Sequence, residues 1–176
     1  MIFQSLLTTK LSKKRINEIL ILKNSYWKYG MYSQKKWFNK NSKSKDYHNL
    51  MISNNKVVGY TFLANRKFEI ILKNKKIFKK QYLLFQTLII SKKFRNYLNL
   101  SKFMKFNNYK IKKQKKLSFL LCKKDKIKMY KLFNWRNINK GIFTVSDHKN
   151  HLYGLIYNDT SKLSLKCKKM VFHYYT

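Results

Sequence analysis

The run Tyr82-Leu-Leu-Phe-Gln-Thr-Leu-Ile-Ile90 does most to restrict the fold. It is apolar on both faces of an extended chain, which places it as a central strand of a sheet covered on both sides. A basic turn follows, Ser91-Lys-Lys-Phe-Arg-Asn96. Leu98, Leu100, Phe103, Met104, Phe106 and Ile111 then show helical spacing, over residues 98–113. A buried strand that passes through a basic turn into a helix suits phosphate binding. The helix start offers N–H groups without intrahelical partners and the positive end of the dipole.

The elements around this run are read from periodicity and polar clusters, because the chain has no Pro and only 4 Gly. Residues 1–9 read as a strand. Ser12 caps a helix over 13–22, with Ile16, Ile19, Leu20 and Leu22 on its apolar side. Ser33 caps a short helix over 34–39 that carries Trp37 and Phe38, and 41–45 is a polar link. Residues 48–52 and 57–65 pair as a hairpin across Ser53-Asn-Asn-Lys56, and 68–72 continues or pairs beside them. After the central helix come a buried strand over 117–122, a short helix over 126–133, and strands over 138–145 and 152–157 joined by a turn at 147–150. The tail, 159–176, shows no pattern. The expected fold class is α/β with a mixed sheet, in one domain over 1–176 whose core covers about residues 5–158. A strand, a crossover helix and a second strand in its middle imply a locally parallel pair.

A length of 176 residues suits one domain with a real core. The 44% hydrophobic and 16% aromatic content excludes a disordered chain. No apolar run of about 18 residues exists, so no transmembrane helix is expected. The start, Met1-Ile-Phe-Gln-Ser, lacks the basic residues that open a secretory signal. Cys122 and Cys167, the two cysteines, fit a reducing compartment, the cytoplasm or an organelle interior.

Charge is the anomaly: 41 Lys and Arg face 6 acids, a net +35. Such a field attracts nucleic acid or another anionic surface, including anionic lipid. A codon bias toward A+T accounts for Lys over Arg, the single alanine (Ala64) and the missing prolines. It accounts poorly for so few Asp and Glu. The lysine clusters at 73–80 and 110–116 are the first expected nucleic-acid contacts. A non-enzymatic nucleic-acid-binding protein, such as an organellar ribosomal protein, is the alternative that composition supports.

The element order resembles the GCN5-related N-acetyltransferase (GNAT) fold, an acyl-CoA N-acyltransferase architecture with a splayed central strand. In that family an R/Q-x-x-G-x-G/A turn after the fourth strand holds the CoA pyrophosphate. Here the stretch is Arg95-Asn96-Tyr97-Leu98-Asn99-Leu100-Ser101. The Arg matches and both glycines are Leu, which reshapes the phosphate seat. The family's F-Y-x-x-x-G-F element reads Met129-Tyr130-Lys-Leu-Phe-Asn134-Trp135. Asn134 stands for the Gly, a swap compatible with a left-handed helix end. A looser likeness covers Trp37-Phe38, Asp46-Tyr47-His48 and Val57-Val-Gly59-Tyr60.

The resemblance implies acetyl-CoA as acyl donor and a primary amine, of a small or sugar-linked acceptor, as the other substrate. It implies Tyr130 as general acid toward the thiolate and Leu88, Ile89 and Ile90 as backbone partners of the pantetheine amides. It implies that residues Arg95 to Ser101 hold the pyrophosphate. Asp46, His48 or Glu69 is the candidate base, with a water relay as the other route. His148 and His151 beside Asp147 have an H-x-x-H spacing but no further ligand, so no metal is expected. Cys122 reads as core.

Overall fold

The computed structural model describes residues 1–146, 152–160, 162 and 167–174. The chain forms two compact units, one of residues 1–64 and 85–107, the other of residues 65–84 and 108–176.

In the first unit, β1 (Ile2–Leu7) pairs antiparallel with β2 (Tyr47–Ser53), and β2 with the first half of β3 (Lys56–Leu72). Asn54 and Asn55 both take left-handed φ, 47° and 57°, the geometry of a tight hairpin turn that Asn tolerates. Between β1 and β2 lie α1 (Lys13–Tyr26) and α2 (Met31–Asn41). Ser12 caps α1 as expected, its side chain accepting from the Arg15 amide at 3.2 Å. The second helix starts at Gly30, with φ 82°, and not at Ser33. Gly30 alone can take that angle cheaply, and its amide donates to Asn24 Oδ1 at 2.9 Å.

The second half of β4 (Ile77–Ile90) and the start of α3 (Tyr97–Lys113) complete this unit. Met51, Val58, Ile90 and Phe103 form a buried cluster, with Phe3, Leu88, Phe94, Leu100 and Phe106 against it. Phe3 stacks on Phe103 and Phe106 at 5.9 and 5.5 Å. Within this apolar seam one polar link is fully buried: Asn49 donates to Asn107 at 2.7 Å, and Asn107 donates to the Phe103 carbonyl. Gly59 lies opposite Met51, where an added Cβ would come within 3.0 Å of the Met51 Cβ and 3.4 Å of the Ile89 carbonyl oxygen.

The second unit contains the rest of β3 and β4, then β5 (Ser118–Cys122), α4 (Ile127–Lys131), β6 (Arg136–Asn137), β7 (Phe143–Val145), β8 (Tyr153–Tyr157) and β9 (Cys167–Phe172). Its strands follow the order β3-β4-β5-β8-β6. β9 lies antiparallel on β3, and β7 pairs parallel with β9. Phe119 and Phe172 stack at 3.9 Å, with Phe68 and Tyr82 on Phe172 at 5.3 and 5.0 Å.

Several boundaries differ from the sequence reading. The two runs 57–65 and 68–72 are one 17-residue strand, because Arg66 is buried rather than a break. Its side chain is satisfied by carbonyls of Asn65 and Tyr174. β4 begins at Ile77, and its first five residues are exposed, so apolar content alone could not mark them. The expected strand 138–145 is reduced to β7, Phe143–Val145, and the short β6 precedes it at Arg136–Asn137. The unassigned tail supplies β9. The turn at 147–150 and the pair His148 and His151 lie outside the described residues.

Lys23 is the unexpected member of the first core. It sits at 3% exposure with its ammonium 3.2 Å from the centre of the Trp37 ring. Burial lowers its pKa from 10.5 to about 7. In the unfolded chain it still binds a proton up to about 10.5, so the unfolded state holds the extra proton between those values and stability rises with pH there. Urea titrations should show wild type gaining on the order of 1–3 kcal/mol between pH 7 and 10, and Lys23→Met losing that gain. Parallel pH profiles for the two proteins would contradict this.

Candidate active site

β4 is the organising element. Its parallel ladder with β5 covers Leu83 and Leu84, opposite Ser118 and Phe119. Ser118 Oγ adds a hydrogen bond to the Leu83 carbonyl at 2.7 Å, and the Leu83 amide donates to the Leu117 carbonyl at 2.9 Å. β4 runs on for six residues to Ile90, and among the described residues none of these pairs with β5. Thr87, in that stretch, has φ 62°. A β-branched residue in the left-handed region is a true outlier and costs on the order of 1–3 kcal/mol. Such a residue breaks the regular alternation of the strand and turns the backbone groups that follow it, Leu88 to Ile90.

The basic turn comes next, a 3-10 turn at Lys92–Phe94. The guanidinium of Arg95 folds back, donating through Nε and Nη2 to the Ile90 carbonyl at 3.2 and 3.1 Å, and lies 5.4 Å from the Tyr26 ring centre. Asn96 caps α3: its side chain accepts the Asn99 amide at 2.9 Å and its carbonyl accepts the Leu100 amide at 3.0 Å. Asn99 in turn donates to the Phe94 carbonyl. The first two amides of the helix, of Tyr97 and Leu98, have no intrahelical acceptor by geometry. The two leucines that stand for glycine differ. Leu100 packs on the Met51–Phe103 cluster, whereas Leu98 is 60% exposed. Ser101 follows on the first turn and is half-buried.

In the second unit, a 3-10 turn at Lys124–Lys126 leads from β5 into α4. Tyr130 is buried at the end of this helix, and its phenol is pushed well above the usual tyrosine range by burial and, to a lesser degree, by Cys122. Asn134 has φ 64°, the left-handed end expected where the family has Gly. The chain turns back there, with the Trp135 amide donating to the Tyr130 carbonyl at 3.3 Å and the two rings edge-on at 6.1 Å. Asn108, which sequence reasoning missed, is the anchor of this arrangement. It accepts the Trp135 indole N–H at 3.1 Å and donates to the Phe133 carbonyl at 2.8 Å. Two adjacent asparagines on a helix with apolar periodicity, Asn107-Asn108, were the available signal.

The candidate bases are placed as follows. His48 is fully buried, with Nδ1 2.8 Å from the Tyr60 hydroxyl and Nε2 2.9 Å from Thr8 Oγ1. Burial and the nearby Lys23 lower its pKa to about 3, so the ring is neutral at physiological pH. Asp46 is also fully buried and accepts the Lys43 amide at 2.9 Å. It closes the turn between α2 and β2. Glu69 pairs with Lys79 at 3.6 Å and faces His173 at 3.9 Å. Cys122 is buried, and burial with the nearby Asp125 raises its thiol to about 11, which keeps it unreactive.

No protein-family model and no curated protein matches this sequence. Solved structures do. The chain resembles the GNAT family N-acetyltransferase YhbS of Escherichia coli, solved in complex with CoA, at a TM-score of 0.66 and 8% identity, over 98% of this chain and 88% of that one. An acyl-CoA N-acyltransferase from Pseudomonas aeruginosa gives a TM-score of 0.65 at 9% identity, over 88% of this chain and 97% of that one. ElaA of Escherichia coli gives 0.62 at 13% identity, with the same two coverages, 88% and 97%. The protein therefore has the fold of the GCN5-related N-acetyltransferases: a mixed sheet of parallel and antiparallel strands with α-helices, as the sequence resemblance implied.

Two substitutions probe this geometry. Thr87→Gly should raise stability in urea by about 1 kcal/mol, because glycine takes the left-handed angle at little cost. A loss of stability would mean that Thr87 is not strained. Asn108→Ala should lower stability by about 2–4 kcal/mol, since it leaves the indole N–H and the Phe133 carbonyl unsatisfied in a buried place. A change below about 0.5 kcal/mol would contradict that accounting.

Proposed function

We propose that the protein is an acyl-CoA-dependent N-acyltransferase that moves acetyl from acetyl-CoA to the primary amine of a small or sugar-linked acceptor. The observation that carries this reading is Tyr130. It stands after β5 on a short helix, Ile127–Lys131, followed by a turn with a left-handed Asn134, and its phenol is held protonated by burial. The CoA complex of YhbS, which shares the fold, supports acyl-CoA as the donor. We read the chain as one domain, since β3, β4 and α3 each run through both units.

The acceptor nitrogen attacks the thioester carbonyl, and backbone N–H groups of Leu88 to Ile90 stabilise the oxyanion. The carbon–sulfur bond then breaks, and the Tyr130 hydroxyl gives its proton to the departing thiolate. The pyrophosphate is assigned to the turn Arg95 to Ser101, with the amides of Tyr97 and Leu98 as donors and Arg95 as counter-charge. His48 and Asp46 act as positioning residues: both are buried and engaged, and they hold the α2–β2 junction. Glu69 is committed to Lys79. The ammonium proton of the acceptor therefore leaves to water.

Acetyl-CoA at micromolar concentration should raise the melting temperature, and thiol release should depend on an added amine. Tyr130→Phe should leave the acetyl-CoA shift intact and slow turnover by about 100-fold or more. No shift with any acyl-CoA would overturn the proposal. The pH profile adds a sign. The rate should rise with pH as the acceptor amine loses its proton, and no fall should appear up to pH 10, since the Tyr130 phenol stays protonated. A drop between pH 9 and 10 would place its ionisation in the ordinary range and contradict the upward shift that burial gives.

A further inference from the structure

Two lysine clusters far apart in sequence meet in the second unit. One is the end of α3 and the turn after it, where Lys110, Lys112, Lys113, Lys115 and Lys116 fall within seven residues. The other is the exposed start of β4, with Lys79 and Lys80. Lys80, Gln81, Lys115 and Lys116 line one surface depression, and Lys116 Nζ donates to Gln81 Oε1 at 2.8 Å. The two clusters thus adjoin at this depression, through Lys80, Lys115 and Lys116.

One lysine of these clusters, Lys79, is paired, with Glu69 at 3.6 Å. Other described acids are engaged elsewhere: Glu18 binds Arg15 at 2.7 Å, Asp46 is buried at the α2–β2 turn, and Asp125 pairs with Lys126. Asp159 also lines the depression, but its side chain is 1% exposed and is bound by Arg136 at 3.3 Å. The lysines of a helix C-terminus do complement its dipole, an effect that falls off within the last turn. That leaves the lysines beyond the helix and on β4 without such a role.

Aromatic rings are interleaved with these charges. Tyr109 is 51% exposed, with the ammonium groups of Lys113 and Lys110 at 5.2 and 5.8 Å from its ring centre. Phe78 is 49% exposed, and strand alternation puts it on the same face of β4 as Lys80. A large ring left in water on a charged surface offers a stacking face, and the lysines around it match a chain of phosphates. A duplex hides its base faces, and a single strand supplies both open bases and phosphates along one chain.

We propose that this surface, centred on Tyr109 and the Lys80–Lys116 depression, binds single-stranded nucleic acid. Lysines contact phosphates and Tyr109 stacks on a base. The contact is tolerant of sequence, because every base has a π-face.

The test is fluorescence anisotropy of the full chain with a labelled 20-nucleotide single-stranded RNA of mixed sequence, across salt concentrations. The combined variant Lys80→Gln, Lys110→Gln, Lys112→Gln, Lys113→Gln should lower the slope of log affinity against log salt by about 3, at about 0.7 per phosphate contact. Tyr109→Ala should weaken binding about tenfold with the slope unchanged. The control variant Lys13→Gln, Lys14→Gln, Lys35→Gln, Lys36→Gln removes four exposed lysines of the first unit and should stay near wild type. Circular dichroism confirms that each variant is folded. Equal loss in the control would reduce the effect to net charge and overturn the proposal. So would a folded Tyr109→Ala that binds RNA as wild type does, or one that loses binding only to vesicles containing phosphatidylserine.

Discussion

Parallel pairing of β4 with β5 at two positions is the constraint on which the rest of the structure depends. A parallel ladder needs a crossover between its strands, and α3 supplies it. The ladder is short but well anchored by the Ser118 hydroxyl on the Leu83 carbonyl and by the Leu117 carbonyl on the Leu83 amide. Past Leu84 the strand carries a left-handed threonine, which a continuous ladder would not tolerate. The strand therefore changes character along its length. Its first part is held in the ladder by Leu83 and Leu84, and its last residues follow a left-handed turn at Thr87.

The scarcity of acids shapes the interior as much as the surface. With 6 carboxylates against 41 cations, most polar burial has to be solved without ion pairs. Asparagine does much of it: Asn49 with Asn107 in one core, Asn108 with Trp135 in the other. His48 is buried between two hydroxyls as a neutral ring, and Lys23 is buried against an aromatic face. Neutral partners avoid the desolvation penalty of paired charges. The candidate bases of the first unit show the same solution: His48 and Asp46 each meet buried hydrogen-bond partners.

The sheet was legible where periodicity and burial coincide. The central strand, the α3 helix and the left-handed Asn134 could all be read from residue type, since each rests on a local preference. What could not be read depends on long-range partners. Arg66 looks like a strand break until the Tyr174 carbonyl appears beside it. Cys167 to Phe172 looks patternless until β3 and β7 flank it. Thr87 was hidden because no side chain signals a left-handed angle in a strand; only the polar pair Gln86-Thr87 interrupts the apolar run. Leu98 and Leu100 looked alike in sequence, and the core takes only one of them. Of the site, the Tyr130–Trp135 element was visible in advance, and the Asn108 anchor was not.

Arg95 carries a consequence for affinity. Its guanidinium already has a carbonyl acceptor at the end of β4 and an aromatic face from α1. The two bonds to Ile90 use Nε and Nη2, and the Nη1 edge keeps N–H groups that they do not engage. An anion met at that edge leaves the Ile90 carbonyl satisfied. The side chain is then ordered by folding, and a ligand would not carry that entropy cost.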